Sequence, residues 1–353
     1  MGEGIYKNLN NQDYWVKRSE ARDRSTWVKE ATLEKELVKT YQTAGESIKN
    51  LLAELYTKYG ENNKLSYVDA IKELNPSELF DYHTKLNRTI QRLKGTKSEP
   101  LLLELEKLYQ MQEVNRLQGT INQIYAELLE LGYTEQLTLE QSLEGQYEEN
   151  YYHSIYEVQS GTSVGVRFNK LPTEAIKQAI LTPWAGDMFS DAIWDNKRLL
   201  VKNLRKTITN GLIKGESYFK MARNLNNEMN AGYKNSLRIV RTETAHVVAE
   251  ATAKGYEKSA IVYQYIIIAT LDKRTSGVCQ TKDNKVYKLA DRQLGVNYPP
   301  FHPNCRTTVA VYFDDTDLST IERIARDEDG KNYFVPASMD YKTWRETYVP
   351  KDL

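Results

Sequence analysis

Cysteine is scarce in this sequence, which holds two among its 353 residues, with four histidines and nine prolines. Two thiols cannot supply the dense disulfide framework of small secreted domains, so that class is excluded. A chain of this length can instead bury the hydrophobic cores of two or three domains. Both cysteines, one histidine and three prolines fall within residues 267–311. That stretch is therefore the first place to search for chemistry.

Long apolar runs and targeting signals are also missing. A membrane-spanning helix needs roughly 18 apolar residues, and the longest run, near residues 262–271, contains Tyr, Gln and Thr. The amino terminus lacks the basic and then apolar layout of a signal peptide. We therefore expect a soluble protein that acts or assembles in a cytoplasm and has no membrane partner. In that compartment, thiol or metal chemistry is favoured over a disulfide.

The sequence has no excess of charge of one sign, because Lys plus Arg and Asp plus Glu both total 48. The neutral total argues against a dedicated nucleic-acid binder of the strongly basic kind. The charges are nevertheless segregated along the chain. Residues 151–260 carry six more basic than acidic side chains, and residues 1–150 carry six more acidic than basic ones. This segregation leaves open the alternative that the basic middle of the chain contacts phosphates locally.

Helical periodicity dominates the first 160 residues. Apolar side chains recur at spacings of three and four, and glycines such as Gly60 and Gly132 follow the last periodic residue of a run. Asn75 followed by Pro76 is typical of an N-cap and a first helical position. Long helices joined by short turns predict an antiparallel bundle or an extended arm. The predicted helices span residues 12–60, 76–94, 98–131 and 138–159.

Shorter elements are predicted after residue 160. Strand candidates are rich in Val and Ile, and Asp283-Asn284 is a turn signal that reverses the chain. The predicted strands are Val164–Phe168, Val262–Thr270, Lys285–Leu289 and Thr307–Phe313, and the predicted helices are residues 187–212, 215–226 and 237–258. Two further amphipathic pieces are expected near Leu318–Arg326 and Tyr341–Tyr348.

The fold class expected from these patterns is α+β, mainly α. A long N-terminal helical arm or bundle precedes a small α+β module with a few antiparallel strands. We place the arm at residues 1–160, the module at 161–313 and a C-terminal extension at 314–353.

A metal-ligand spacing is the strongest chemical signal. His302 and Cys305 form an H-x-x-C turn that can wrap one ion, and Cys279 can return to it across a hairpin. A closed structural zinc site needs a fourth ligand, for which Asp272 and His246 are available by position. A set of three protein ligands without a fourth also fits a catalytic ion whose open coordination position holds a water molecule. The alternatives are buried free thiols, with the histidine bonded to backbone, or a disulfide between the cysteines.

Established catalytic templates are absent. The sequence contains no H-E-x-x-H, G-x-S-x-G, P-loop or G-x-G-x-x-G motif, and no zinc deaminase pattern. We therefore expect a protein that is not an enzyme. The alternative is a metal-dependent enzyme such as a nuclease, which would combine Cys279, His302 and Cys305 with Glu243 or Asp272.

Two helices carry further candidates. In the first, four basic side chains share one face, which suits DNA phosphates or an acidic partner; the alternative is a solvated face. In the second, Arg241 and Glu243 cannot share a face. Structural salt bridges, Arg241 to Asp272 or Glu243 to Arg274, are expected there, with a catalytic carboxylate at Glu243 as the alternative. The basic face consists of Arg198, Lys202, Arg205 and Lys206.

An ordered set of sequence blocks resembles the phage Mu F-like head-morphogenesis family. The resemblance covers roughly residues 150–313, and the set is specific although each block alone is weak. Its residues include the structural motif Arg241, Glu243, Asp272, Arg274, Pro299, Pro300 and Arg306. The blocks are Pro183-Trp184-Ala185-Gly186, Phe189-Ser190, Asn210 to Gly215, Arg241-Thr242-Glu243, Leu271 to Ser276, Cys279, and Pro299 to Arg306.

That family marks minor head (minor capsid) proteins of tailed bacteriophages. The resemblance implies a place inside the phage head, after assembly in the host cytoplasm. It also implies binding to the portal protein, with the major capsid or scaffolding protein and double-stranded DNA as further contacts. The implied work is procapsid assembly, DNA packaging, and DNA retention or delivery, without catalysis. A structural zinc ion is the cofactor we expect at the three candidate ligands.

Overall fold

The structure is a computed structural model, and it describes residues 11–94, 99–162, 164–165, 170–184, 188–313, 322–326, 331–336, 339 and 341–348. The chain forms two compact units, each made of discontinuous segments. Unit 1 contains the chain up to Thr32, Glu140–Thr182 and everything from Val240 onward, and unit 2 contains Leu33–Leu139 and Pro183–Ile239. The boundaries 1–160, 161–313 and 314–353 stay a prediction.

The described residues are mainly helical, which confirms the α+β, mainly α class. None of the helices that the structure describes combines the length and apolar content needed to cross a membrane. The helices are α1 (Gln12–Tyr59), α2 (Tyr67–Ala70), α3 (Pro76–Leu93), α4 (Glu99–Tyr109), α5 (Arg116–Thr162), α6 (Thr173–Ile180), α7 (Phe189–Ile213), α8 (Tyr218–Ser259), α9 (Gly277–Lys282) and α10 (Tyr341–Tyr348).

The strands lie in unit 1 and pair antiparallel. One sheet has the order β2-β1-β3, in which Tyr265 of the central strand stands opposite Tyr287 and Val311. A second sheet is the hairpin β4-β5, and its Ala325 and Val335 pack with Leu271 and Trp344. The strands are β1 (Gln264–Ile268), β2 (Val286–Lys288), β3 (Thr308–Tyr312), β4 (Glu322–Arg326) and β5 (Asn332–Pro336).

The core of unit 1 forms where the three-stranded sheet meets three helices. Trp15 of α1, Val158 of α5 and Tyr256 of α8 are buried in one cluster with the apolar residues of β1 and β3. The strand residues 265–268 are apolar on both faces and almost fully buried. Burial on both sides explains why this segment reads as an uninterrupted apolar run rather than an alternating one.

The outer edge of β3 is covered by polar side chains of α1. Gln12 Nε2 donates to the carbonyl oxygen of Val311 at 2.9 Å, and Ser19 Oγ donates to that of Val309 at 2.8 Å. Arg22 donates to the same Val309 oxygen at 3.2 Å, and its other terminal nitrogen lies 2.6 Å from Glu157 of α5. An edge strand otherwise presents unpaired backbone groups to other chains. These bonds satisfy the edge within the unit.

Unit 2 is helical and contains its own apolar core and buried ion pair. Asn75 is the N-cap predicted at the start of α3, and it forms a capping box with Glu78 in which both bonds are 3.0 Å. Farther along, Lys197 Nζ lies 2.5 Å from Glu135 and from the Tyr41 hydroxyl, away from solvent. Burial lowers the pKa of Lys197, and the Glu135 carboxylate opposes that shift. The pairing explains how an ammonium group is tolerated inside a helical core.

The predicted helix over residues 98–131 is wrong in its extent. The chain leaves helical conformation after α4, since backbone groups of Val114 and Arg116 bond instead to Leu74 and Lys72 at 2.9 and 3.0 Å. Asn115 then caps α5 by accepting an N–H bond at 2.7 Å. α5 continues from there to Thr162, so the separate helix predicted at 138–159 is part of it.

Gly132, which was predicted to follow the end of a helix, and Gly232 both lie inside helices. A Cβ at Gly132 of α5 would stand 2.7 Å from the Trp194 ring, and one at Gly232 of α8 would stand 2.9 Å from Leu200. Both glycines therefore allow α7 to approach closely, and α8 is a single helix rather than two. Sequence alone cannot separate this use of glycine from a C-cap.

The other predictions have mixed outcomes. Helix α1 and the three strands β1, β2 and β3 are confirmed within one to three residues, and Asn284, at φ 59°, forms the predicted turn. The segment 341–348 is the helix α10, while 322–326 is a strand. Most of the predicted strand Val164–Phe168, and the residues Ala185 and Gly186, lie outside the described residues.

We predict opposite effects for two alanine substitutions in α5. Gly132→Ala should lower the free energy of unfolding by roughly 1–3 kcal/mol, because the rigid Trp194 ring must move. Gly145→Ala is the matched control: a Cβ there meets nothing within 4 Å, so the better helix former should stabilise by roughly 0.5–1 kcal/mol. Chemical denaturation of both variants measures this. Equal effects would contradict the close-packing account.

Candidate metal centre

Cys279 is positioned by the short helix α9. The side chain of Ser276 accepts the Cys279 backbone N–H at 3.3 Å and so caps the helix. After α9, Asp283 accepts the backbone N–H of Ala269 at 2.8 Å, which ties the end of the helix to β1. The Cys279 thiol is thereby buried in a small cluster with Ala269, Cys305 and Phe301.

His302 and Cys305 are held by a tight turn. The Cys305 backbone N–H donates to the His302 carbonyl at 3.2 Å, and Asn304 takes a left-handed conformation at φ 58°. Asparagine tolerates that region better than most side chains. Thr242 of α8 fixes the turn from outside, because its hydroxyl accepts the Asn304 N–H at 3.2 Å. The preceding Pro299–Pro300 bond is cis.

The three predicted ligands converge. Cys279 Sγ lies 3.2 Å from His302 Nε2 and 3.7 Å from Cys305 Sγ, and all three ligand atoms lie within 4.8 Å of one another. The sulfur atoms are not bonded, and both cysteines are free thiols. This group of one histidine and two cysteines could hold a metal ion.

The tautomer of His302 suits a ligand. Its Nδ1 lies 2.8 Å from the Pro303 carbonyl oxygen, which can only accept a hydrogen bond. Nδ1 therefore carries a proton, and in the neutral ring Nε2 keeps its lone pair on the side of Cys279. A backbone carbonyl that orients the second ring nitrogen is the usual support of a metal-bound histidine.

The two thiols differ electrostatically. The hydrogen bond from Cys279 lowers the pKa of Cys305, and backbone N–H groups of Phe301 and Thr307 add to this. The Cys279 pKa is raised by the same bond and by burial. One proton shared between two sulfurs accounts for both directions. A thiolate is the form that binds metal, so the pair is prepared for a cation.

Neither proposed fourth ligand joins the group. Asp272 is occupied by Arg306, whose two terminal nitrogens lie 2.5 and 2.7 Å from its carboxylate oxygens, and by Arg274 at 3.7 Å. His246 is buried in α8, where burial and then the Arg292 charge lower its pKa to about 4. Among the described residues, three ligands therefore make up the group.

The remaining candidates serve other contacts. Arg241 lies 3.6 Å from Glu30 of α1 rather than at Asp272, and Glu243 is half-buried on α8. Pro299 and Pro300 are buried beneath the turn. In unit 2, the four basic residues of α7 are all exposed, and Arg198 pairs with Asp195 at 2.5 Å.

Sequence reasoning missed two contributors to the site. The role of Thr242 in fixing the turn was hidden because a lone threonine on a helix carries no spacing signal. The Arg306–Asp272 pair was also missed, although Arg306 directly follows Cys305 and Asp272 opens the loop that leads to Cys279. That adjacency to the predicted ligands was the available signal.

Part of the chain that contains this site matches a known protein family. Residues 202–310 match the family model described as Phage Mu protein F like protein. This segment, a little under a third of the chain, is similar to the phage Mu F-like family. The Mu F-like segment contains all three candidate ligands, three of the four residues of the basic face (Lys202, Arg205 and Lys206), the strands β1 and β2, and the start of β3.

Two curated relatives extend the comparison. The chain is 24% identical over 328 residues to Minor head protein GP7 of Bacillus phage SPP1. This match covers 89% of this chain and 92% of that protein. It is 31% identical over 180 residues to NAD(+)--arginine ADP-ribosyltransferase EFV of Enterococcus faecalis (strain ATCC 700802 / V583), covering 49% of this chain and 36% of that protein. The chain thus spans about a third of the Enterococcus protein. No solved structure matches. Together, the family match and the phage relative support a phage head protein.

We predict that the Asp272→Asn variant loses stability in a pH-dependent way. Burial raises the pKa of Asp272, but Arg306 and the Arg274 N–H outweigh burial and lower it. A lowered folded-state pKa contributes stability above the unfolded value of about 3.9, and this is lost as pH falls through the folded value. The deficit should be roughly 1–3 kcal/mol at pH 7 and should shrink below pH 4.

Urea denaturation at pH 7, 5 and 3, with a chelator present throughout, measures this dependence. Asp195→Asn is the control, since its pair with Arg198 is exposed on both sides and should contribute below about 0.5 kcal/mol. A deficit in Asp272→Asn that is constant over the whole pH range would contradict the role of the charge.

Proposed function

We propose that this chain is a minor head protein of a tailed bacteriophage that docks at the portal inside the head. There it assists procapsid assembly, and DNA retention or delivery. The observation that carries the proposal is the length of the phage similarity, which runs over 89% of this chain and 92% of the SPP1 minor head protein. A match of that extent includes the helical unit as well as the Mu F-like segment. The shorter Enterococcus match covers 36% of that protein, so its transferase activity does not enter the proposal.

The basic face of α7 is our proposed contact surface for the portal protein or for double-stranded DNA. Its four side chains, Arg198, Lys202, Arg205 and Lys206, project from one exposed helix face. Affinity that depends on phosphate contacts falls steeply with salt, because bound counterions are released. Binding to a protein partner depends less on salt. The salt dependence of binding therefore distinguishes DNA from the portal protein as the partner of this face.

We predict that reversing two of these charges, Lys202→Glu with Lys206→Glu, weakens capture of the portal protein of the same phage by the tagged full chain. If the face binds DNA, co-sedimentation with duplex DNA at 50 mM salt should fall about tenfold or more. The control is Lys35→Glu with Lys39→Glu, an equally spaced exposed pair on α1. If the Lys202→Glu, Lys206→Glu variant binds both the portal protein and DNA as well as the unchanged chain does, this face is not the contact surface. Absence of the protein from purified particles would overturn the phage head role itself.

A structural zinc ion is our proposal for the converging Cys279, His302 and Cys305. Two sulfurs and an imidazole nitrogen are donors that zinc prefers. When bound, the ion would join α9 to the 302–305 turn and so stabilise a loop-rich part of unit 1. The chain's own residues prepare the site, because Pro303 fixes the histidine tautomer and Ser276 holds the Cys279 backbone.

Elemental analysis of the purified full chain should find about one zinc per chain, with a metal-dependent rise in the melting temperature. Cys279→Ser and Cys305→Ser should lose both, while His153→Gln, at an exposed histidine elsewhere in unit 1, should lose neither. Equal metal content in all four proteins would contradict the assignment. Turnover of DNA or RNA with added zinc or manganese would favour the metal-dependent nuclease alternative instead.

A further inference from the structure

The two cysteines of the chain lie side by side in the folded protein. Their sulfur atoms are 3.7 Å apart and unbonded, and Cys279 and Cys305 are only 2% and 6% exposed. A disulfide bond is about 2.05 Å long, so rotation of the two side chains has to bring the sulfurs closer by about 1.7 Å. The sequence has no third cysteine. Each thiol therefore has one candidate partner within the chain.

Cys305 lies on the route from solvent to this pair. It lines a cavity of about 520 Å³ that reaches the surface at the exposed Pro303 and Asn304. Cys279 is packed behind it against Ala269. A small oxidant such as hydrogen peroxide can therefore enter the cavity and meet Cys305 first. A thiol on a second protein chain is too bulky to follow, which favours a bond within the chain over one between chains.

A disulfide and the proposed zinc ion would compete for the same two sulfurs. Zinc binds cysteine as the thiolate, and a disulfide removes both thiolates. Either cross-link joins the same two segments, the helix α9 and the 302–305 turn. Ser276 holds the first segment and Thr242 holds the second by hydrogen bonds to backbone N–H groups, which involve neither sulfur. The two segments are therefore held in place before either cross-link forms.

We propose that Cys279 and Cys305 are a redox-active pair that hydrogen peroxide converts into an intramolecular disulfide, and that a bound zinc ion blocks this conversion. The Cys305 sulfur, as the thiolate, takes a hydroxyl group from the peroxide and becomes a sulfenic acid, and the hydroxide released combines with the proton that the thiol lost. The Cys279 sulfur then attacks the Cys305 sulfur, and its proton leaves with the hydroxyl group as water. Two thiols thereby lose two electrons and two protons, and one peroxide becomes two water molecules.

The chemistry of the pair is independent of a role in a phage head, but its consequence for a phage rests on the proposed function. Assembly in a cytoplasm takes place where thiols stay reduced, and a particle outside the cell meets surroundings in which disulfides persist. Once the metal is lost there, the disulfide would keep α9 joined to the 302–305 turn.

The purified full chain, freed of metal by a chelator, is treated with hydrogen peroxide and alkylated, and its intact mass is measured. We expect a monomer that is lighter by two hydrogens, about 2 Da, and that carries no alkylated cysteine. Its melting temperature should rise and return after reduction, because the bond links residues 26 positions apart. Chains joined to one another, sulfinic acid as the main product, or two thiols that still alkylate would overturn the assignment.

Dimedone, which traps sulfenic acids, tests whether the geometry of the folded chain causes this reaction. Closure between neighbouring sulfurs should outrun trapping, so the folded chain should give about tenfold less adduct than the same chain in urea. Cys279→Ser should accumulate the adduct at Cys305, whereas Cys305→Ser should form little at the shielded Cys279. Equal trapping in the folded and unfolded chains, or in the two variants, would contradict the pairing.

One equivalent of zinc, added before the peroxide, tests the competition. It should slow disulfide formation about tenfold or more, because the ion holds both sulfurs as ligands. His302→Gln removes one ligand and should lose most of this protection, while His153→Gln, at an exposed histidine, should keep it. Equal rates with and without zinc would overturn the competition. Absence of the protein from phage particles would change none of these results and would overturn the head role alone.

Discussion

Unit 1 depends on the contacts that the buried guanidinium group of Arg22 makes. It binds Glu157 of α5 at 2.6 Å and the Val309 carbonyl of β3 at 3.2 Å, and it reaches the Tyr256 hydroxyl of α8 at 3.4 Å. Arg22 and Glu157 are almost fully buried, with side-chain exposures of 3% and 2%. Losing one member of such a pair leaves the other charge uncompensated inside the protein, at a cost of roughly 3–5 kcal/mol. One side chain thus joins three helices to the edge of the sheet.

This contact also bears on the candidate metal centre. β3 begins three residues after Cys305, so the bonds that hold its edge also fix where the 302–305 turn ends. From the other side, Thr242 of α8 holds the backbone of that turn. Cys279 thus lies on the short helix α9, and the other two ligands lie on a turn whose position is set by α1, α8 and β3. Such support is what a site needs if its ligand atoms are to stay within bonding distance of one ion.

The sequence predicted those parts of the fold whose signals are local. The periodicity of α1, the N-cap at Asn75 and the turn at Asn284 each depend on neighbouring residues, and the structure contains all three. The convergence of the candidate ligands was also predicted, because H-x-x-C spacing restricts where the two side chains can point. The α+β, mainly α class followed from the same local patterns.

Features that depend on tertiary contacts could not be predicted. Gly132 resembles a helix end in sequence, and only the Trp194 ring of a later helix shows why glycine is required. The partner of Arg22 is 135 residues away, and no spacing rule connects them. A cavity of unit 1 is likewise lined by four separate segments, which are α1, α8, the loop at Arg274 and residues 299–309, so its lining could not be assembled from any one of them.

The hydrogen bond between Arg22 and Val309 joins residues that are 287 positions apart. During synthesis, at roughly 5–20 residues per second, the first turns of α1 therefore leave the ribosome about 15–60 s before their sheet exists. Throughout that interval Trp15, Arg22 and their neighbours are without the surfaces that bury them in the finished protein. Unit 1 is thus completed only after β3 has been synthesised, and a chain truncated before β3 could not acquire the edge that α1 covers.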